Sequence, residues 1–318
     1  MPLIATPANP VPDGARVEMI QASDAISLRT ASWLATSGQG RGTICLLQGR
    51  AEYIEKYFET ITNLRAKGFA VATLDWRGQG GSQRLLSNPG KGHISHYDRY
   101  ETDLVALFEQ VVRKDCPPPY YALAHSTGGL IVLRFMTRRA RYFERAVLTC
   151  PFLGLGTSYE PVAIARLLVR VANETGFGRF FIPTGSAKPG DNQPFLGNVL
   201  TSDEARYARN AAIIAAAPQL GIGSPTIGWV GASLAAMADI ESEGVMEQTK
   251  VPLLILSSGN DAIVSNRAID AIARRLPMAR HLTITGARHE LLMERDIARE
   301  QVLAAIDTFF SDDSGRTR

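Results

Sequence analysis

Cysteine is scarce in this chain of 318 residues: there are only three, and they lie far apart. Cys45 and Cys150 stand in apolar, strand-like runs, and no CxxC pair or other metal-ligand spacing accompanies Cys116. An odd number of isolated cysteines favours reduced, structural thiols in a reducing compartment. We therefore expect a cytoplasmic protein that holds no metal.

The chain also lacks a long uninterrupted apolar run. Residues 211–238 contain no charged residue, but prolines and glycines interrupt them. A membrane-spanning helix needs roughly 20 continuous apolar residues, so this tract predicts broken helices with one face against an apolar surface. Residues 1–14 have neither a basic region nor an apolar core, and their prolines predict a flexible arm, not a signal peptide. Peripheral contact with the inner face of the membrane stays open.

A strong excess of either charge is missing too, since the formal net charge is +3 and charged residues make up 20% of the chain. The arginines between Arg134 and Arg145 are the densest basic group. We interpret them as a solvated helix face and the loop after it, rather than as a nucleic-acid surface. Neither a nucleic-acid partner nor an obligatory protein partner is expected.

Short apolar runs alternate with helical patterns through most of the sequence. ARVEMIQ and ISLRTASW predict a β-hairpin at a sheet edge, and ELLMERDIAREQVLAAIDTFF predicts a long closing helix. Such alternation is typical of an α/β fold with a mostly parallel central sheet flanked by helices. The alternation stops near Pro151 and resumes near Val251. We therefore expect a core of residues 15–154 and 250–312, with an inserted, largely helical cap (lid) at 155–249.

Ser126 stands between the strand-like run YYALAH and a helical run, with Ala124 two residues before it and Gly128 two residues after it. A serine in such a loop is often only a helix N-cap. Small neighbours at these two positions are what a nucleophile needs on a sharp strand-to-helix turn. The turn would place the Ser126 hydroxyl at the carboxyl ends of the strands, where α/β folds bind ligands.

A base and an acid must accompany such a serine, and the chain has five histidines. In this architecture the acid and then the histidine follow the serine, and His289 comes after a predicted strand and before the last helix. Asp261 follows the strand LLILSS, although an aspartate there could simply be a turn residue. We expect Asp261 to orient His289.

The loop after an early strand, LLQGRAEY, is expected to supply an oxyanion donor. Gly49 allows close approach of the backbone, so the Arg50 N–H would act with the Thr127 N–H. In isolation, Gly49 could equally be a turn glycine. The segment DWRGQGGS lacks the lysine of a phosphate-binding loop and the spacing of a dinucleotide fingerprint, so no cofactor is expected.

Together these segments resemble the α/β-hydrolase superfamily, and more closely its branch of monoacylglycerol lipases and bacterial lysophospholipases. The resemblance rests on five segments in order: LLQGRAEYIEKYFE, LDWRGQGGS, AHSTGG, SSGNDAIVS and GARHELLME. It implies Ser126 as nucleophile, Asp261 as acid and His289 as base, with the amides of Arg50 and Thr127 as oxyanion hole. Two positions depart from the family pattern: Gln48 replaces a histidine before the oxyanion glycine, and Ala124 replaces the first elbow glycine.

The expected function is hydrolysis of carboxylic esters of single-acyl-chain lipids through an acyl-enzyme on Ser126. The uncharged tract would bind the acyl chain, and Trp229 is a candidate pocket wall, although a tryptophan in the core of the cap is equally plausible. One alternative is an aminopeptidase or amide hydrolase, which would need acidic residues for a substrate amine; Glu160, Glu174 and the segment DIESEG are the candidates. Another is a binding protein of the same fold without activity.

Overall fold

A sheet of eight strands forms the centre of the computed structural model, which describes residues 1–38, 40–139, 142–156, 169, 171–190, 194–242 and 244–312. The strand order is β1-β2-β4-β3-β5-β6-β7-β8. β1 and β2 form the antiparallel hairpin predicted at the edge, β2 pairs antiparallel with β4, and the remaining pairs are parallel. The strands are Arg16–Gln21, Ser27–Trp33, Thr43–Leu47, Ala70–Leu74, Tyr120–His125, Arg145–Thr149, Leu253–Ser258 and Ala279–Ile284.

Helices flank this sheet, and every residue of β3, β4 and β7 is buried, as expected for parallel strands covered on both faces. The predicted mostly parallel α/β fold is thus confirmed. The main helices are α1 Phe58–Ala66, α2 Asp98–Leu107, α3 Thr127–Arg138, α4 Glu204–Ala216, α5 Ile227–Glu241, α6 Asn266–Arg275 and α7 Asp296–Ser311.

The closing helix begins later than the sequence pattern predicts. A short 3₁₀ turn, Leu291–Met293, precedes α7, which starts at Asp296. All three residues of the turn are buried, and three consecutive residues cannot share one face of an α-helix. The 3₁₀ turn therefore allows all three side chains to be buried, and it follows the loop at the edge of the sheet.

The chain between β6 and β7, residues 150–252, is called the insertion below. Its helix α5 contributes Trp229, Leu234, Met237 and Ile240 to the same hydrophobic core as the sheet. The uncharged tract is indeed broken: α4 ends at Ala216, a 3₁₀ turn follows, and α5 begins at Ile227. The insertion therefore packs directly on the sheet domain with the apolar faces that the sequence predicts.

A second part of the insertion, residues 198–203, is hydrogen-bonded to the loop that leads into α7. Leu200 O accepts the Glu290 N–H at 2.8 Å, and the Arg288 guanidinium donates to the carbonyls of Asn198 and Thr201 at 2.9 and 3.1 Å. The Thr201 hydroxyl donates to Met293 O at 2.7 Å. These bonds fix the position of the insertion relative to this loop.

The N-terminal residues, which the sequence predicts to form a flexible arm, make hydrogen bonds to the core. The Asn9 side chain is buried and donates to Glu55 O at 2.8 Å, and Pro12 O accepts from the Trp33 indole at 3.0 Å. Prolines remove backbone donors, but side-chain bonds of this kind hold the segment against the core. Within the described ranges, no helix is both long enough and apolar enough to cross a membrane.

Candidate active site

Ser126 occupies a strained turn between β5 and α3. Its φ of 51° and ψ of −115° lie outside the regions that ordinary residues adopt. A Cβ at Gly128 would lie 2.5 Å from the backbone oxygens of both Leu47 and Gln48, so only glycine fits there. Gly128 therefore lets this turn lie close to the end of β3.

The structure brings Ser126, His289 and Asp261 together at the carboxyl ends of β5, β8 and β7. The Ser126 Oγ lies 3.0 Å from His289 Nε2, and His289 Nδ1 lies 2.9 Å from an Asp261 carboxylate oxygen. Serine and histidine are 163 residues apart in the chain. The serine hydroxyl, a ring nitrogen and a carboxylate thus form one continuous hydrogen-bonded line.

The carboxylate of Asp261 is held in its ionised form. Burial alone would raise its pKa, but the hydrogen bond and charge of His289, with the backbone N–H groups of Val264 and Ile263, lower the pKa to about 2. These N–H groups lie 3.0 and 2.8 Å from Oδ1. Because an ionised carboxylate only accepts hydrogen bonds, Nδ1 of His289 must donate, and Nε2 is left to accept from Ser126.

The backbone N–H groups of Arg50 and Thr127 are free to bind an anion. Neither donates to a protein group in the part of the chain that the structure describes. On either side of Arg50, by contrast, the Gly49 N–H bonds the Glu52 carboxylate and the Ala51 N–H bonds the Gln79 side chain. The structure therefore leaves unpaired the two N–H groups that the sequence analysis selects.

Gln48, which stands where the family usually has a histidine, supports the loop that carries Gly49 and Arg50. Its Nε2 lies 3.4 Å from Asp75 Oδ1, and its backbone oxygen accepts from the Trp76 indole at 2.9 Å. Trp76 and Asp75 begin the glycine-rich turn after β4, which is a structural support for the loop. The substitution changes the support of the loop but leaves the two backbone donors in place.

Three buried charged residues near Ser126 are not predicted from the sequence: Glu52, Lys56 and Glu290. The Lys56 ammonium lies 3.0 Å from a Glu52 oxygen and 2.6 Å from a Glu290 oxygen. Burial would raise the pKa of Glu52, but Lys56 and then His125 outweigh it and lower the pKa to about 2. Lys56 thus connects the loop of Gly49 with the residue after His289. The spacing of four residues from Glu52 to Lys56 is the only sequence signal for this cluster.

His125, next to the serine, is a neutral structural residue. Burial lowers the pKa of its imidazole to about 4, although the charge of Glu52 acts in the opposite direction. Its Nδ1 lies 3.1 Å from Thr149 O, and its ring centroid lies 4.8 Å from that of His289. His125 therefore packs beside His289 and is bonded to Thr149 rather than to the serine hydroxyl.

A cavity of about 660 Å³ opens above Ser126 and His289. Its apolar walls come largely from the insertion, through Ile182, Ile222, Trp229 and Leu234. Trp229 is both a wall and a core residue: its ring stacks on Phe152 at 5.8 Å, and its indole N–H donates to Tyr100 at 3.3 Å. A cavity of this size and lining suits a small, mostly apolar ligand.

Among the residues that the structure describes, Cys150, Asp261 and His289 form a group whose potential ligand atoms all lie within 4.8 Å of one another. A metal would need the cysteine as thiolate. Burial, followed by the charge of Asp261, instead raises the pKa of the Cys150 thiol well above its ordinary value. Asp261 and His289 are also bonded to each other, so this donor set fits proton transfer better than metal binding.

The sheet order and the serine turn define the protein as an α/β-hydrolase. The same fold is seen in monoglyceride lipase from Saccharomyces cerevisiae, with a TM-score of 0.74 and 18% identity over 94% of this chain and 97% of that chain.

Sequence comparison gives the family. Residues 38–296 match the family described as "Serine aminopeptidase, S33", and the chain belongs to it. It is 34% identical to lysophospholipase L2 of Escherichia coli K12 over 280 residues, which cover 84% of this chain and 80% of that protein. It is 30% identical to a probable lysophospholipase L2 of Haemophilus influenzae, over 85% of this chain and 84% of that protein. The resemblance drawn from the sequence motifs is confirmed.

Proposed function

We propose that the protein is a serine hydrolase that cleaves carboxylic esters of single-acyl-chain lipids, with lysophospholipids and monoacylglycerols as the substrate class. The observation that carries this proposal is the 3.0 Å contact between Ser126 Oγ and His289 Nε2 at the floor of the largely apolar cavity. The names of the relatives agree with lipid ester hydrolysis.

In the proposed mechanism Ser126 Oγ attacks the ester carbonyl while His289 Nε2 takes its proton, and Asp261 stabilises the imidazolium. The N–H groups of Arg50 and Thr127 bind the oxyanion. His289 then protonates the leaving alcohol, which departs and leaves an acyl-enzyme. Water, deprotonated by His289, attacks this acyl group, and the carboxylic acid leaves as the proton returns to Ser126.

The acyl chain is proposed to lie against the apolar walls that the insertion provides. Each buried CH₂ group contributes about 0.8 kcal/mol, so longer chains should bind better until the cavity is full. In this proposal residues 155–249 act as a cap subdomain, and residues 15–154 and 250–312 supply the reacting groups. Trp229 is one of the proposed walls of the acyl site.

The family name also raises the aminopeptidase alternative, which needs a free carboxylate for a substrate amine. Among the residues that the structure describes, the carboxylates that line the cavity are Glu52 and Glu290, and both bind Lys56. Glu174 does not line the cavity, and Glu160 lies outside the described residues. Because each of these carboxylates already has an ion-pair partner, neither is free to receive a substrate ammonium group, and ester hydrolysis is the better-supported proposal.

The test combines covalent labelling with substrate comparison. We expect a fluorophosphonate probe to label wild type but not Ser126→Ala, and wild type to hydrolyse lauroyl monoacylglycerol or lauroyl lysophospholipid but not aminoacyl p-nitroanilides. Ser257→Ala is the matched control, because this buried serine bonds His281 and does not line the cavity. Equal labelling of wild type and Ser126→Ala would contradict the proposal, and an unlabelled wild type would indicate a binding protein.

We also propose that the protein is cytoplasmic and makes transient contact with the inner face of the membrane. The insertion exposes several large apolar side chains, namely Val171, Phe177, Phe180, Leu196 and Val199. Exposed apolar patches often mark such surfaces. The three cysteines are buried and unpaired, which agrees with a reducing compartment.

A further inference from the structure

Arg50 places a positive charge in the wall of the cavity, and no carboxylate pairs with it among the described residues. Its Nη2 donates to Gly223 O, its guanidinium carbon lies 5.3 Å from the centroid of the Trp229 ring, and its buried Nε has no hydrogen-bond partner. Two fully buried arginines behave differently: Arg29 binds Glu55 and Asp75, and Arg77 binds Asp24 and Asp103. The Arg50 charge is thus incompletely compensated.

A half-buried charge with no counter-charge is costly to the fold. Burial lowers the pKa of the Arg50 guanidinium to about 10, and Tyr100 and Tyr97 oppose this change only in part. The side chain therefore stays charged at neutral pH. An anionic ligand in the cavity would supply the missing counter-charge.

The Arg50 guanidinium packs closely against the backbone at Gly92. A Cβ at Gly92 would lie 2.5 Å from Arg50 Nη2, so a larger residue would displace it. Lys188 adds an exposed second cation to the lining of the cavity. The other charged groups of the lining are Glu52, Glu290 and Lys56, which bind one another.

The length of a glycerophospholipid matches this arrangement. Six bonds separate the ester carbonyl carbon from the phosphorus of a 1-acyl lysophospholipid, and such a chain extends roughly 7 Å, by analogy with two backbone residues. Five bonds separate the Cα of Arg50 from its guanidinium carbon, a reach of roughly 6 Å. Arg50 can therefore face the carbonyl with its N–H and the phosphate with its side chain.

We propose that the Arg50 guanidinium binds the phosphate group of a lysophospholipid substrate and that Arg50 thereby selects lysophospholipids over monoacylglycerols. This inference rests on the proposed lipid ester hydrolysis. Gly223 uses only Nη2, so Nη1 can donate to a phosphate, and charge-assisted bonds from arginine to phosphate are the strongest of their kind. Monoacylglycerol lacks the phosphate and leaves the charge unpaired.

The first experiment compares Arg50→Met with Arg84→Met on lauroyl lysophosphatidylglycerol and lauroyl monoacylglycerol. Arg84 is the matched control because it bonds the neighbouring carbonyls of Gln219 and Gly221 but does not line the cavity. We expect the ratio of kcat/KM for the phospholipid over the neutral ester to fall about 10- to 100-fold in Arg50→Met and to stay near wild type in Arg84→Met. An unchanged ratio in Arg50→Met, or an equal fall in both variants, would show that Arg50 merely tethers the insertion.

A binding experiment on the wild-type protein keeps the inference testable if a variant fails to fold. Glycerol 3-phosphate, inorganic phosphate and glycerol are titrated. The readouts are the tryptophan fluorescence, to which Trp229 beside Arg50 contributes, and the inhibition of p-nitrophenyl butyrate hydrolysis. We expect glycerol 3-phosphate to bind at least about 10-fold more tightly than glycerol, and more tightly than inorganic phosphate. Equal binding of inorganic phosphate would identify a site for the free anion and overturn the inference, as would no binding.

The two proposals can fail separately. Absence of all ester hydrolysis refutes the proposed function, while the fluorescence titration still decides whether Arg50 binds phosphate. Hydrolysis of both lipids with no phosphate dependence overturns only the role of Arg50.

Discussion

Replacing Lys56 with methionine would remove the buried cation that joins the loop of Gly49 to the loop of His289. The Lys56 side chain is 2% exposed, and its partners Glu52 and Glu290 are 4% and 7% exposed. Methionine has a similar volume, so the main change is electrostatic. Two carboxylates would remain buried without their cation.

The expected cost follows from this burial. Removing one partner of a buried ion pair destabilises a protein by about 3 to 5 kcal/mol, because the other charge stays buried. Glu52 also accepts the Gly49 N–H and the Tyr57 hydroxyl. Without Lys56 the pKa of Glu52 rises, and a protonated Glu52 is a weaker acceptor for Gly49. We therefore expect kcat to fall as well as stability.

Urea unfolding at neutral pH measures the stability effect, and Lys67→Met is the matched control. Lys67 also forms an ion pair, at 2.8 Å from Asp307, but the two side chains are 35% and 29% exposed, so its loss should cost at most about 1 kcal/mol. The triple variant Lys56→Met, Glu52→Gln, Glu290→Gln should recover part of the stability. Similar costs for Lys56→Met and Lys67→Met, or no recovery in the triple variant, would refute the reasoning.

Three further outcomes are expected. Asp261→Asn should lower kcat by about 10⁴-fold through the wrong His289 tautomer; a near-normal kcat in steady-state assays would mean that another group orients the ring. The pKa of His125 is about 4 in the folded protein and about 6.5 when unfolded. This difference corresponds to about 3 kcal/mol in the free energy of unfolding, which is fully present above pH ~6.5 and is lost as the pH falls toward ~4. Urea unfolding should show that His125→Asn lacks this part of the pH dependence; identical curves would contradict it. Trp229→Gln should flatten the rise of kcat/KM with chain length across p-nitrophenyl esters more than it slows an acetyl ester, whereas equal losses would indicate a purely structural role.

The sequence predicts those parts of the site that follow local rules. The turn at Ser126 is predictable because its small neighbours stand at fixed spacing, and Asp261 and His289 follow from their order after predicted strands. The Lys56–Glu290 bridge joins residues 234 positions apart, and no periodicity or spacing connects them. The sequence also does not predict that the Arg50 guanidinium has no carboxylate partner, because the fold decides which carboxylates lie near it.

The bonds between residues 198–203 and the loop around His289 bear on how this enzyme could be re-engineered. Exchanging the insertion for that of a relative would break the contacts of Leu200 and Thr201 with the loop, even if every reacting group were kept. A chimera would then lose activity on all esters, including the shortest. Recombination should therefore treat residues 198–203 and 288–294 as one inherited block and place its junctions elsewhere in the insertion.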